Sequence, residues 1–298
     1  MPEHWTSDAS FVDACVGLNR AVCVAVVDDE LAAKRVPFTK GAVFHQGAWL
    51  DAGALKWNAV AVTRCQTPIP QYAIVSVAGQ VQLVGGGDMH EEQVQDGDAS
   101  PLRNGMLRDA RAIAGVLHVC GMNRQVYRRE GRDQWRHLSS ELTPTSGVFG
   151  FEAMDGFALD ELYAVGWEGE LWSFDGARWM QHDAGTQAIL LDVVCAGDGQ
   201  VYAIGRGGKL IIGRGAQWQT RDLELPHELS SLAWFRDRLY ACSSSELYVW
   251  DGARFQVHAF DGDRPRTLQY LSVGESGLCA VGPKDLFLYD GAAWTRID

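Results

Sequence analysis

Lysine is scarce in this chain of 298 residues: it supplies five of the 26 basic residues, against 38 acidic ones and a net charge of −12. Such a surface disfavours nucleic acid and anionic membranes as partners and leaves basic proteins open. Few lysines beside plentiful alanine, glycine and arginine match the usage of a GC-rich bacterial genome. No apolar run approaches the ~20 residues that cross a bilayer. The opening stretch, MPEHWTSDASFVDAC, lacks a basic segment followed by an apolar one, so no secretory leader is expected. The seven cysteines (Cys15, Cys23, Cys65, Cys120, Cys195, Cys242 and Cys279) form no CxxC pair. An odd, scattered set argues against zinc fingers and a disulfide framework, and it fits a reducing cytoplasm. The sequence marks of common reactions are missing too: there is no GxxxxGK[ST], GxSxG or HExxH. The stretch GRGGKL, 205–210, lies between two strands and opens no helix, so it has no helix N-terminus to cradle a phosphate. No cofactor, bound metal or catalytic residue is expected.

What the chain does have is a repeat. The phrase SFDGARW (173–179) returns as VWDGARF (249–255) and LYDGAAW (288–294). The stretches leading into them also match. ELYAVGWEGELWSFDG, QVYAIGRGGKLIIGRG, RLYACSSSELYVWDG and GLCAVGPKDLFLYDG place Asp175, Arg214, Asp251 and Asp290 at intervals of 39, 37 and 39 residues. A fixed period of this size marks a repeat architecture. Each unit splits into four short β-rich pieces, such as LSSLAWF, RLYACSS, ELYVWDG and RFQVHAF. Gly, Ser and Asp-Gly punctuate them, as hairpin turns require. The pieces are apolar on both faces, so each small sheet is expected to be covered on both sides.

The N-terminal half carries weaker copies. VLHVCGMNRQVYRREGRDQW, QYAIVSVAGQVQLVGGGD, and RAVCVAVVDD followed by GAVFHQGAW supply three more units, the last with an insertion near ELAAKRVPFTK. The expected fold is therefore all-β: a single seven-bladed β-propeller of four-stranded antiparallel blades. Blades are expected near 9–53, 55–98, 103–140, 146–183, 185–223, 226–260 and 265–298. HWTSD, at the start, is a candidate for closing the ring. The repeat also assigns roles. Cys120 and Cys242 occupy the position of Val165, Ile204 and Val281, so they read as small core residues. Trp49, Trp135, Trp179, Trp218, Phe255 and Trp294 share one position after the turn and read as packing between blades. The recurrent Asp-Gly reads as a turn in which Asp caps backbone groups and Gly takes φ > 0.

The unit resembles the β-propeller repeat superfamily over essentially the whole chain. YVWDG, WSFDG and FLYDG look like the aromatic-Asp ending of WD40 blades, although the Gly-His mark near the blade start is absent. SFDGARW is also similar to the Asp box of sialidases, with Gly directly after Asp rather than one residue later.

Three sets of residues are candidates for function. GGGDMHEEQVQDGD (85–98) is an acidic stretch without a basic residue. Its spacing is not that of a calcium loop. As a solvated acidic loop it offers Asp88, Glu91, Glu92, Asp96 and Asp98 to a partner. Between Arg103 and Arg136 lie eight arginines and three acids, Asp109, Glu130 and Asp133, which reads as blade-edge charge or an anion-binding patch. Arg111, Glu152, Asp155, Asp192 and Gln269 are polar residues on expected inner strands and candidates to line a central channel. The favoured function is non-enzymatic: a protein-binding disc of the immunity type, neutralising a basic toxin domain in the cytoplasm. Two alternatives compete with it. One is an enzyme acting on a sugar or lactone in the channel. The other is a carbohydrate-binding propeller using Trp5, Trp57, Trp167 or Trp234.

Overall fold

The computed structural model describes residues 7–142, 149–260 and 262–298. Among them are seven four-stranded antiparallel sheets, each built from four strands consecutive in sequence. They start with the strands Ala9–Val16, Ala59–Cys65, Leu107–Ile113, Phe151–Ala158, Leu190–Cys195, Ser231–Phe235 and Tyr270–Gly274. Each first strand touches the first strands of the two neighbouring sheets, and the last touches the first. The sheets are thus the blades of a closed seven-bladed propeller, with first strands innermost. The insertion in blade 1 forms the short helix Asp29–Ala33 before the third strand starts at Thr39. HWTSD lies mostly outside the described residues, as does Trp5.

The Asp-Gly phrase behaves as its chemistry requires. Asp175 Oδ1 accepts the N–H groups of Ala177 and Arg178, at 3.0 and 2.8 Å. Asp251 and Asp290 do the same for the residues two and three further on. These N–H donors hold all three carboxyls below the usual carboxylate range. The Gly that follows has φ of 88° at Gly176 and 98° at Gly252, values that a side chain rarely adopts.

The core is divided into seven clusters, one at each blade interface. The recurrent aromatic fills six of them: Trp135, Trp179 and Phe255 are buried, and Trp49, Trp218 and Trp294 pack partly buried. In blade 2 this position falls to Met89, which is exposed. Trp57, arriving from the preceding connection, fills the interface of blades 1 and 2 instead and donates its Nε1–H to Glu91. It is therefore a packing residue and not a ligand platform. Cys120 and Cys242 are fully buried, like Val165, Ile204 and Val281.

Candidate functional site

The seven inner strands surround an axial channel with a cavity of about 410 Å³. An inner strand is an edge strand, so its outer N–H groups have no partner within their own sheet. Side chains of the preceding blade supply one. Asp13 accepts the N–H of its neighbour Ala14 at 2.8 Å and, with its other oxygen, that of Val62 in blade 2 at 2.7 Å. Asp109 bridges Ala110 and Met154 in the same way, Asp155 bridges Gly156 and Cys195, and Asp192 bridges Val193 and Leu232. Ser231 takes over in blade 6: its hydroxyl donates to Asp192 and accepts the N–H of Leu271. A carboxylate in an apolar strand thus staples one blade to the next.

Of the five residues expected in the channel, Arg111, Glu152, Asp155 and Asp192 line it. Gln269 does not: it precedes the inner strand of blade 7, is exposed, and donates to the Tyr270 hydroxyl. Asp13 and Asp109 were missed. The signal for both was an acid inside an apolar strand, in FVDACV and LRDARAI, where a solvated role makes no sense. Arg111 reaches from blade 3 to Asp109 at 3.2 Å and across to Asp192 of blade 5 at 3.0 Å. Burial pushes the Asp13 carboxyl up to about 7 and that of Asp155 up to about 6, and it raises Asp192 as well. All four aspartates, Asp13, Asp109, Asp155 and Asp192, accept backbone N–H groups, and Asp109 and Asp192 also contact Arg111. Among the described residues no three His, Cys, Asp or Glu side chains are grouped to hold a metal.

The acidic stretch is not a loop throughout. Asp88–Gln93 is the outer strand of blade 2, with side chains alternating between solvent and interior. Glu91 faces out, whereas Glu92 is buried against blade 3, where Arg129 holds it with two bonds of 2.8 and 2.6 Å. Burial opposes the charge on Glu92, but Arg129 outweighs it and keeps the carboxyl below its usual range. Asp88 sits 3.2 Å from Arg132. Asp96 and Asp98 are exposed on the connection to blade 3, where Asp96 accepts the N–H of His137 and Asp98 pairs with Arg103.

The eight arginines also find acids. Five of them reach other blades: Arg108 to Glu152, Arg111 to Asp192, Arg124 to Glu170, Arg129 to Glu92 and Arg132 to Asp88. Arg103 pairs with Asp98, and Arg128 and Arg136 with Glu130. The basic segment and its acidic neighbours neutralise one another across blade boundaries, so no bare cationic patch remains there. Trp167 donates to Glu152, and Trp234 borders the channel.

No protein-family model matches the chain. The immune protein Tsi7 of Pseudomonas aeruginosa is 38% identical over 284 residues, spanning 92% of both chains. The chain belongs to the Tsi7 family. Its backbone is shared more widely. Saccharomyces cerevisiae Sqt1 superposes with a TM-score of 0.64 at 11% identity, over 99% of this chain and 86% of that one. A virginiamycin B lyase of Staphylococcus aureus, solved with quinupristin, gives 0.69 at 7%, over 96% and 95%. YCF48 bound to a D1 peptide gives 0.70 at 14%, over 96% and 94%. At such low identities these three show the fold alone, and they include an enzyme as well as a peptide binder.

Proposed function

We propose that this protein is an immunity protein, which binds a toxin protein in the cytoplasm and neutralises it by occlusion rather than chemistry. The observation that carries this reading is the 38% identity to the immune protein Tsi7 over nearly the full length of both chains. The channel supports it, because its carboxylates are engaged in holding blades together. None of the helices among the described residues is long and apolar enough to cross a membrane.

The contact surface we propose is the flank of blade 2 and the connection that follows it. Asp88, Glu91, Asp96 and Asp98 supply acid there, while Leu102 and Met106, 71% and 60% exposed, supply an apolar anchor. Glu92 belongs to the blade interface and acts only by holding that surface in place. The connection is pinned at its end: Asn104 donates to the Tyr127 hydroxyl, Asn123 to the Asn104 carbonyl and Gln125 to the Gly105 carbonyl. A pre-ordered surface loses less freedom on binding, and an acidic one steers a basic partner.

The test begins with capture of a protein from the native lysate and expression of that protein in a bacterial host with and without this chain. The captured protein is expected to stop growth alone and to be harmless in the co-expressing cells. Replacing Asp88, Glu91, Asp96 and Asp98 by Lys is expected to slow association about tenfold or more at low salt, with the gap closing as salt shortens the screening length. A captured protein that is harmless by itself, or that stays toxic beside this chain, overturns the immunity reading. An association rate untouched by the charge reversals moves the contact to another face.

A further inference from the structure

The channel holds an unbalanced set of charges. Asp13 of blade 1, Asp109 of blade 3, Asp155 of blade 4 and Asp192 of blade 5 line it around a single guanidinium, that of Arg111. The remaining charged groups of the lining are paired with one another: Arg108 with Glu152 at 2.7 Å and Arg64 with Glu275 at 3.5 Å. Blade 6 adds no charged residue to this wall, its polar and aromatic members there being Ser230, Ser231 and Trp234, and blade 7 adds Tyr270 and Ser272 beside Glu275. The nearby thiols Cys15 and Cys195 are pushed up by burial and stay neutral. So does the Tyr270 hydroxyl.

We propose that Arg111 is the counter-ion of a pH-dependent latch: it offsets the carboxylates of blades 1, 3, 4 and 5 around the axis, and in mild acid protonation of Asp13 and Asp155 lessens the need for it. The geometry carries this. Arg111 contacts Asp109 and Asp192 directly, and each of the four aspartates staples its own blade to the next. Repulsion among them therefore acts on four of the seven seams at once. Asp13 and Asp155 are partly buried in the channel wall.

The sign follows from the raised carboxyls. Their ordinary value is about 4. In the folded ring Asp13 and Asp155 hold protons up to about 7 and about 6, which the unfolded chain has already released. Their stabilising contribution is complete below about 4 and is lost as pH rises through those folded values. Above that range the carboxylates are charged, and Arg111 is the cation that offsets them.

Thermal unfolding of the full chain at pH 5 and pH 8 tests this, with Arg111→Met removing the charge and Arg111→Lys keeping it. The drop in melting temperature caused by Arg111→Met is expected to be at least about twice as large at pH 8 as at pH 5. Arg111→Lys is expected to show less than about half of the Met drop at pH 8. Comparing chains at the same pH cancels titrations common to both, including that of His118, which is buried in the second strand of blade 3 and held below its usual range by burial. An Arg111→Met protein that folds at pH 5 and unfolds when brought to pH 8 supports the latch outright. An equal drop at both pH values shows that Arg111 only packs and overturns the proposal. So does a larger drop at pH 5, or a variant that folds at neither.

Discussion

Glu92 lies in a run of acids, and the two-residue period of a strand turns it inward while Glu91 stays in solvent. Its side chain is fully buried against Arg129, itself 2% exposed. Removing one member of a buried pair leaves the other charged and desolvated. Glu92→Gln is therefore expected to cost about 3–5 kcal/mol in denaturant unfolding. Asp98→Asn, at a carboxylate 95% exposed, should stay within about 0.5 kcal/mol. A mild Glu92 variant would place that residue back at the surface. Trp179 tests the recurrent aromatic. It packs on Phe151 and Phe174 and donates to the Leu138 carbonyl at 3.0 Å. Trp179→Ala is expected to lower stability by about 3–5 kcal/mol, read as a lower melting temperature. The residue types were legible in both cases. The direction of Trp179 followed from its repeat position, whereas that of Glu92 needed the strand and its neighbour.

Blades are the elements of this fold, and the chain itself joins six of the seven seams. The seam between blades 7 and 1 lacks that link, because each blade is complete within one segment of sequence. It is closed by the apolar cluster around Val22, Val24 and Leu288 and by a set of polar bridges. Phe11 N–H donates to the Pro283 carbonyl at 2.9 Å, Lys284 reaches the Ala9 carbonyl and the Asp29 carboxylate, and the Ser276 hydroxyl donates to the Gly17 carbonyl. The partly exposed Lys284–Asp29 pair contributes about 1 kcal/mol or less. Together the bridges govern local opening. In a Lys284→Ala/Ser276→Ala protein, amide exchange is expected to speed up in the strands of blades 1 and 7 and to stay unchanged in blade 4. Uniform acceleration would mean that the ring opens only as a whole. That each blade takes its four strands from one segment among the described residues was not legible at blade 1, because the weak first repeat hides how many strands it supplies.

For the whole molecule the thiols are a simple gauge. Six of the seven cysteines are buried and the seventh, Cys195, is half-buried, all as free thiols. Unreduced protein in denaturant should titrate about seven groups, and native protein should react slowly, because burial pushes the thiols up and the thiolate is the reactive form. A count near one would mean three bridges and an oxidising home. Charge also resolves at this scale. A chain of net −12 with an arginine-rich third blade looks polarised along its sequence, yet neighbouring blades neutralise one another.

The repeat length, the turn chemistry of Asp-Gly and the two-sided apolar strands determined the propeller and its core from sequence alone, because each is a local pattern copied along the chain. Closure decided the rest. Only a ring brings Asp13, Asp109, Asp155 and Asp192 around Arg111, and only adjacent blades give Glu92 and Arg129 to each other. Those contacts join residues tens of positions apart, with no spacing rule to reveal them. The charges that look like a binding surface in one dimension are therefore partly the fastenings of the disc in three.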